Sequence, residues 1–159
     1  MLKSYLIPFL LSFSLAILLT PIVKRISILK GYIAKPREDR WNKNSTALFG
    51  GIAIFLSFII PYAIFVKFDI ASLGILVAGC LIFGLGIFDD IVHLKPYTKL
   101  LCQIIVAALL VNFGIKINII PYPLISIPLT ILWIVAIVNA FNLLDNMDGL
   151  SSGIGAIVG

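Results

Sequence analysis

Asn139, Asn142, Asp145 and Asp148 recur at every third position, directly behind an apolar run from Leu124 to Val138. A second acidic cluster, Asp89-Asp90, closes the apolar run from Ala71 to Phe88. Charge at the end of a membrane-length segment is costly unless it is solvated, paired or metal-bound, so these carboxylates are functional candidates. Hard divalent cations take oxygen ligands, and Mg²⁺ combines a carboxylate or two with substrate phosphates. A neighbouring basic loop can hold the anionic remainder. Such a set suits phosphoryl transfer, where catalysis is positioning plus charge neutralisation. A carboxylate near the bilayer surface can also act as a base toward a lipid-borne phosphate.

The competing reading is that acids at a span end only mark the membrane boundary. For a lone Asp that reading is the stronger one. For Asp-Asp together with Asp-x-x-Asp-Gly and flanking Asn it is the weaker. An EF-hand is excluded, because Asp145-Asn146-Met147-Asp148-Gly149 lacks the alternating acid spacing of that loop. On an α-helix each i+3 step turns about 300°, so the stripe drifts by about 60° per step. The segment should therefore tighten or unwind near Asp145, with Asn146 and Gly149 as the places for it. His93, the one histidine, reads as a solvated loop residue rather than a ligand. Cys80 and Cys102 lie in apolar runs, where free cysteine behaves as a small hydrophobe.

The elements that must position these groups are membrane helices. The chain is 61% hydrophobic and 12% charged, with a mean hydropathy of +1.15. A soluble domain of 159 residues cannot hide that much apolar surface. Five segments approach the roughly 20 apolar residues of a span: 4–23, 47–66, 71–88, 100–115 and 124–141. A sixth begins near Leu150. Backbone amides in hydrocarbon must bond internally, and the alternation of a barrel is lacking, so the spans are predicted to be helices. The fold class is all-α, a polytopic membrane bundle in one domain (1–159). Residues 117–128 are β-branched with prolines at 121, 123 and 128, which predicts a short β-hairpin at the outer interface, Tyr122 at headgroup depth and a fifth helix beginning near Leu129. Gly50-Gly51 at the entrance of the second span serve either close approach of a backbone or ligand, or helix packing.

The first segment reads as a retained anchor, because its core is long and Pro21, Lys24 and Arg25 follow in place of a cleavage site. The loop 24–46 carries seven basic residues, Lys24, Arg25, Lys30, Lys35, Arg37, Arg40 and Lys43, against Glu38 and Asp39. Loop 89–99 adds Lys95 and Lys99. The positive-inside rule then puts the amino terminus outside and loops 24–46, 89–99 and 142–149 on the cytoplasmic side of the cell membrane. All four carboxylates thus meet on one face. The net charge of +5 follows from this topology and from an anionic lipid surface. Nucleic acid is a poor partner, since only Trp41 stands ready to stack among the basic residues.

Three ordered motifs resemble one family. Asn139-Ala140-Phe141-Asn142-Leu143-Leu144-Asp145-Asn146-Met147-Asp148-Gly149-Leu150 is similar to the signature of the polyprenyl-phosphate N-acetylhexosamine-1-phosphate transferases. Gly84 to Asp90, with Lys95 to Gln103, resembles its Asp-Asp motif and following helix. Lys35-Pro36, Asp39-Arg40-Trp41 and Thr46 to Gly51 resemble its first cytoplasmic loop. The resemblance implies an integral-membrane enzyme of about ten helices, each of roughly 20 apolar residues. It implies transfer of a sugar-1-phosphate from a UDP-amino sugar to undecaprenyl phosphate or a similar lipid, with UMP released and a cell-envelope polymer begun. Mg²⁺ is the implied cofactor, Mn²⁺ its substitute, and a second copy of the chain a candidate partner.

By the same resemblance Asp89 deprotonates or positions the lipid phosphate, with Asp90 beside it. Asn142, Asp145 and Asp148 organise the metal and nucleotide, and Asn139, Lys43 and Lys99 contact substrate. The pattern departs at Asn146, where the family has Gly, and at Ala34-Lys35-Pro36, which lacks an acid. A basic-loop His is replaced near Asn42. The family is about twice as long, with a further metal-binding Asp and a histidine-rich sugar loop beyond residue 159. An amino-terminal fragment, inactive alone, is therefore expected. The first loop looks more like the branch that loads a simple amino sugar than the muramoyl-peptide branch. Two other classes compete: an ion-coupled transporter, disfavoured because the carboxylates sit at span ends, and a non-catalytic scaffold.

Overall fold

The computed structural model describes residues 2–34, 46–47, 49–144 and 150–158. Six helices follow one another: α1 (Leu2–Leu29), α2 (Gly50–Phe65), α3 (Ile70–Val92), α4 (Pro96–Asn112), α5 (Pro123–Leu144) and α6 (Leu150–Val158). Between α1 and α2 two short strands pair antiparallel, β1 (Ile33–Ala34) and β2 (Thr46–Ala47), with Ile33 opposite Ala47 and Ala34 opposite Thr46. They bracket the basic segment, which lies outside the described residues. α1 packs on α2, and α3, α4 and α5 pack in sequence order. Phe55 and Phe83, stacked 3.9 Å apart, join α2 to α3.

Three helices are long and apolar enough to cross a membrane: Tyr5–Leu29 within α1, Ile70–Val92 and Pro123–Leu144. This is a membrane protein. The five full spans expected from sequence are not all of equal standing. At 1.5 Å per residue, α2 with 16 residues and α4 with 17 reach about 24 and 26 Å, short of a hydrocarbon core of about 30 Å. α1 runs past Lys24 and Arg25, so both sit within the helix rather than in a loop. Their long apolar stems let the charges reach an aqueous boundary from there.

Packing follows membrane rules. The buried positions are small or polar: Ala53, Ser57 and Pro61 on α2; Ser72, Gly74 and Ala78 on α3; Gln103, Val106 and Ala107 on α4; Ser126, Thr130 and Val135 on α5. Large side chains such as Phe9, Phe13, Ile54, Leu132 and Trp133 point outward. Between apolar helices in lipid, close backbone approach and polar contacts replace the hydrophobic drive. Gly50 and Gly51 begin α2 with open space around both, so no backbone is packed against them among the described residues.

The hairpin expected at 117–128 does not form. Residues 115–122 are irregular, and α5 already starts at Pro123. Proline at a first helical position loses no bond, since that N–H has no intrahelical partner anyway. The Tyr122 carbonyl accepts from the Ile125 and Ser126 amides and starts the helix. The buried Thr130 hydroxyl donates to the Ser126 carbonyl at 2.6 Å and accepts from the Ile117 amide at 3.0 Å. That hydroxyl holds the irregular segment against α5, in place of the hairpin expected here. Tyr122 is exposed.

The entry to α3 is a reciprocal cap. The Asp69 carboxylate accepts from the Ser72 amide at 2.7 Å, and the Ser72 hydroxyl accepts from the Asp69 amide at 2.7 Å. The Ser72 amide, then its hydroxyl, hold the Asp69 carboxyl below the usual aspartate value. A depressed folded value stabilises the fold above the unfolded carboxylate range, and that stabilisation is lost as pH falls through the folded value. Asp69→Ala is therefore expected to lower the thermal midpoint in detergent at neutral pH, with the difference from wild type shrinking under acid. Asp69→Asn, an equally good cap, should retain most of the midpoint. Equal midpoints for the wild type and Asp69→Ala at neutral pH would remove the cap from the account.

Candidate active site

Asp89 and Asp90 lie in the last turn of α3, which continues to Val92 instead of ending at Phe88. Carboxylates there oppose the partial negative charge of a helix C-terminus, so their placement needs compensation. Asp89 obtains it twice. Its Oδ1 accepts from the Leu94 amide at 3.0 Å, and its Oδ2 pairs with Lys99 Nζ at 2.8 Å. The Asp89 carbonyl also accepts from the His93 amide at 2.8 Å, where the chain leaves the helix through a left-handed His93 (φ 56°). Both carboxylate oxygens are therefore fixed in direction. Asp90 is exposed on the same turn, and His93 is exposed beyond it.

α4 begins with Pro96 at its first position and turns Lys99 toward the neighbouring helices. Besides Asp89, Lys99 Nζ donates to Asn142 Oδ1 at 3.2 Å. One ammonium thus joins the acidic end of α3 to the carboxamide stripe of α5, and Lys99 and Asn142 themselves are 43 positions apart. The side chains of Lys99 and Asp89 retain 22% and 24% exposure. An ion pair this open contributes about 0–1 kcal/mol, so its main consequence is placement rather than stability.

One turn further into the helix pair, Asn139 Nδ2 donates to Gln103 Oε1 at 2.6 Å and to the Val135 carbonyl at 2.8 Å. Gln103 is buried. It also lines a cavity of about 330 Å³ between α3, α4 and α5, whose other walls are apolar, among them Ile75, Ile82, Leu110 and Val138. Gln103 was not expected as a site residue. Its signal was present: a carboxamide four residues after Lys99, inside an apolar run.

Of the residues expected from sequence, Asp89, Lys99, Asn142 and Asn139 come together here, with Asp90 at the edge. Lys43, Asp145 and Asp148 lie outside the described residues, as do Asn146 and Gly149. α5 ends at Leu144, directly before Asp145. Among the described residues no three acidic, histidine or cysteine side chains gather as a metal cluster. The donors present are oxygens only, from Asp89, Asp90 and Asn142, which is chemistry that a hard divalent cation accepts.

The comparisons with known proteins converge on these helices. The family model described as glycosyl transferase family 4 matches residues 72–159. A probable undecaprenyl-phosphate N-acetylglucosaminyl 1-phosphate transferase of Bacillus subtilis is 34% identical over 95% of this chain and 45% of its own length. A decaprenyl-phosphate N-acetylglucosaminephosphotransferase of Mycobacterium tuberculosis is 33% identical over 85% of the chain and 38% of its own length. A phospho-N-acetylmuramoyl-pentapeptide-transferase of Halalkalibacterium halodurans is 30% identical over 96% of the chain and 55% of its own length. The chain thus spans roughly half the length, or less, of these relatives. No solved structure matches it. The match begins in the first turn of α3 and takes in every helix that contributes to the Asp89–Lys99–Asn142 junction, and the chain belongs to glycosyl transferase family 4.

Proposed function

We propose that this chain carries part of the active site of an enzyme that moves an N-acetylhexosamine-1-phosphate from a UDP-amino sugar to a polyprenyl phosphate such as undecaprenyl phosphate. UMP leaves, and the lipid-linked sugar begins a cell-envelope polysaccharide. The observation that carries the reading is the Lys99 bridge between Asp89 and Asn142. It brings the Asp-Asp cluster to the stripe that continues to Asp145 and Asp148 in sequence. Lys99 has three N–H donors, of which its contacts among the described residues use two, and the third is proposed to meet a phosphate oxygen. The names of the relatives support the same acceptor and sugar.

In this reading an oxygen of the lipid phosphate attacks the β-phosphorus of the donor. The bond from that phosphorus to the bridging oxygen breaks, and UMP departs with its α-phosphate. Asp89, held in direction by Leu94 and Lys99, takes the proton of the acceptor phosphate or orients its oxygen. Lys99 lowers the repulsion between the two anions. The apolar cavity on the same three helices suits an acceptor whose head is charged and whose body is hydrocarbon. Asp145, Asp148 and Asn142 would hold Mg²⁺, which when bound supplies charge neutralisation at the donor phosphates. The face bearing these groups is assigned to the cytoplasm, where nucleotide sugars are made. The amino terminus is assigned to the outside by the same one-sided placement of basic residues.

The direct test is incorporation of labelled sugar phosphate from UDP-N-acetylglucosamine into extractable lipid by membranes expressing the protein. Incorporation should require undecaprenyl phosphate and release UMP in equal amount. Excess chelator is expected to reduce it to background, with Mg²⁺ restoring it fully and Mn²⁺ at least in part. Transfer that persists in chelator would remove the metal from the mechanism. Absence of lipid-linked product both from this chain and from a protein of the relatives' full length that carries it would remove the transferase assignment itself.

A further inference from the structure

The polar contact set deepest between α4 and α5 is the amide pair of Gln103 and Asn139. Gln103 is 2% exposed, and its Oε1 accepts from Asn139 Nδ2 at 2.6 Å. The two residues stand one turn inward from Lys99 and Asn142. Gln103 follows Lys99 by four positions on α4, and Asn139 precedes Asn142 by three on α5. Helical neighbours at these spacings share a face. The two helices are therefore joined by two polar rungs: an outer one of 3.2 Å through Lys99 and Asn142, and an inner one of 2.6 Å through Gln103 and Asn139.

The rungs differ in consequence. The outer one is partly solvated, and Lys99 reaches it on a flexible stem. Alone it does not define where the ammonium rests. The inner rung is enclosed by Val106, Ala107, Val135 and Val138; the Val135 carbonyl holds Asn139 Nδ2 at 2.8 Å, whereas the side chains around Gln103 Oε1 offer it no replacement for Asn139. An amide without a partner there carries its full desolvation penalty. A slip of one residue along α4 shifts Gln103 by about 1.5 Å and turns it by about 100°, which breaks the pair. The inner rung therefore selects one register of α4 on α5, and that register sets Lys99 opposite Asn142.

We propose that Gln103 and Asn139 are positioning residues, a buried register pin whose output is the location of the Lys99 ammonium. Asn139 acts from within the helix pair, in place of the substrate contact that the family resemblance implied. The catalytic consequence rests on the transferase reading above. The structural consequence does not.

Two readouts separate these. The first is acylation of the protein in detergent by acetic anhydride, with modification at Lys99 read by peptide mass spectrometry against Lys95 as internal reference. Gln103→Leu is expected to raise the Lys99-to-Lys95 ratio about fivefold to tenfold, as loss of a charge-assisted contact allows. Exchanging the pair, Gln103→Asn with Asn139→Gln, keeps one short and one long amide and should return the ratio to within about twofold of wild type. Should Gln103→Leu not fold, Asn139→Ser carries the same test, since serine bonds back to its own helix yet cannot reach Gln103. An unchanged ratio in the single variants, or no recovery in the exchange, overturns the pin. The second readout is transfer by the same membranes. The single variants should lose turnover with KM for the nucleotide sugar within about twofold of wild type, and the exchange should regain it. An exchange that restores the labelling ratio without restoring turnover would make Asn139 a substrate contact instead. If neither this chain nor a protein of the relatives' full length that carries it performs transfer, the transferase reading fails and the labelling ratio still decides the pin.

Discussion

Asparagine in place of Asp89 is expected to lower sugar-phosphate transfer by about 10²- to 10³-fold while leaving the fold intact. The substitution nearly conserves volume. The new carboxamide oxygen can still accept from the Leu94 amide, so the turn that ends α3 keeps its contact. What disappears is the charge facing Lys99 and the capacity to take a proton from an acceptor phosphate. Asp89→Glu separates geometry from charge. It keeps the carboxylate but pushes it outward by one methylene, and a displacement of about 1 Å at a reacting group costs on the order of 10²-fold. The measurement is the initial rate of UMP release from UDP-N-acetylglucosamine with undecaprenyl phosphate, normalised to protein in the membrane. A wild-type rate in Asp89→Asn would exclude the residue from the chemistry and return the Lys99 pair to a structural role.

How much of this junction could be read from the chain alone follows from the range of each interaction. Apolar runs broken by charge were enough to expect helices, and the one-sided placement of basic residues was enough to expect the carboxylates on one face. Asp89 and Asn142 were named on that basis and Lys99 from the family resemblance, and the Lys99 ammonium joins the other two. Helix ends were less legible. The run of apolar residues stops at Phe88, yet α3 continues to Val92, because Lys99 and the Leu94 amide compensate a carboxylate in its last turn. Both compensating groups come from beyond the helix. The region 117–128 read as extended from its prolines and β-branched residues. Its real conformation depends on the Thr130 hydroxyl, a contact spanning 13 residues. The pairing of Gln103 with Asn139 spans 36 residues and has no local signature beyond a polar residue in an apolar run. Local preference is readable from composition, whereas register between helices is set only when they pack.

The same reasoning predicts where the bundle is least tolerant. Gly74 is buried on α3 against Phe113, the residue that caps α4. A methyl group at position 74 would lie 2.5 Å from Phe113 Cβ and 2.7 Å from its Cγ. The nearer atom is attached directly to the backbone, so no rotamer change relieves the overlap and the helices themselves must separate. Overpacking of this kind costs typically about 1–3 kcal/mol, against up to about 1 kcal/mol that alanine gains over glycine in a helix. Gly74→Ala is therefore expected to be destabilising on balance, and Gly74→Val strongly so. Gly79, one and a half turns along the same helix, meets nothing within 4 Å of an added methyl, so Gly79→Ala should be neutral or stabilising. Thermal midpoints in detergent give the comparison. A second substitution sharpens it: Phe113→Ala leaves the offending Cβ in place and should not rescue Gly74→Ala, whereas Phe113→Gly should recover part of the loss. Identical midpoints for Gly74→Ala and Gly79→Ala would mean that α3 and α4 do not approach as closely as these atoms require. Position 74 lies 15 residues from Asp89, about 22 Å along the helix. Protein that remains folded with alanine at 74 should therefore keep its turnover per molecule, the reverse of Asp89→Asn, which should keep its midpoint and lose its turnover.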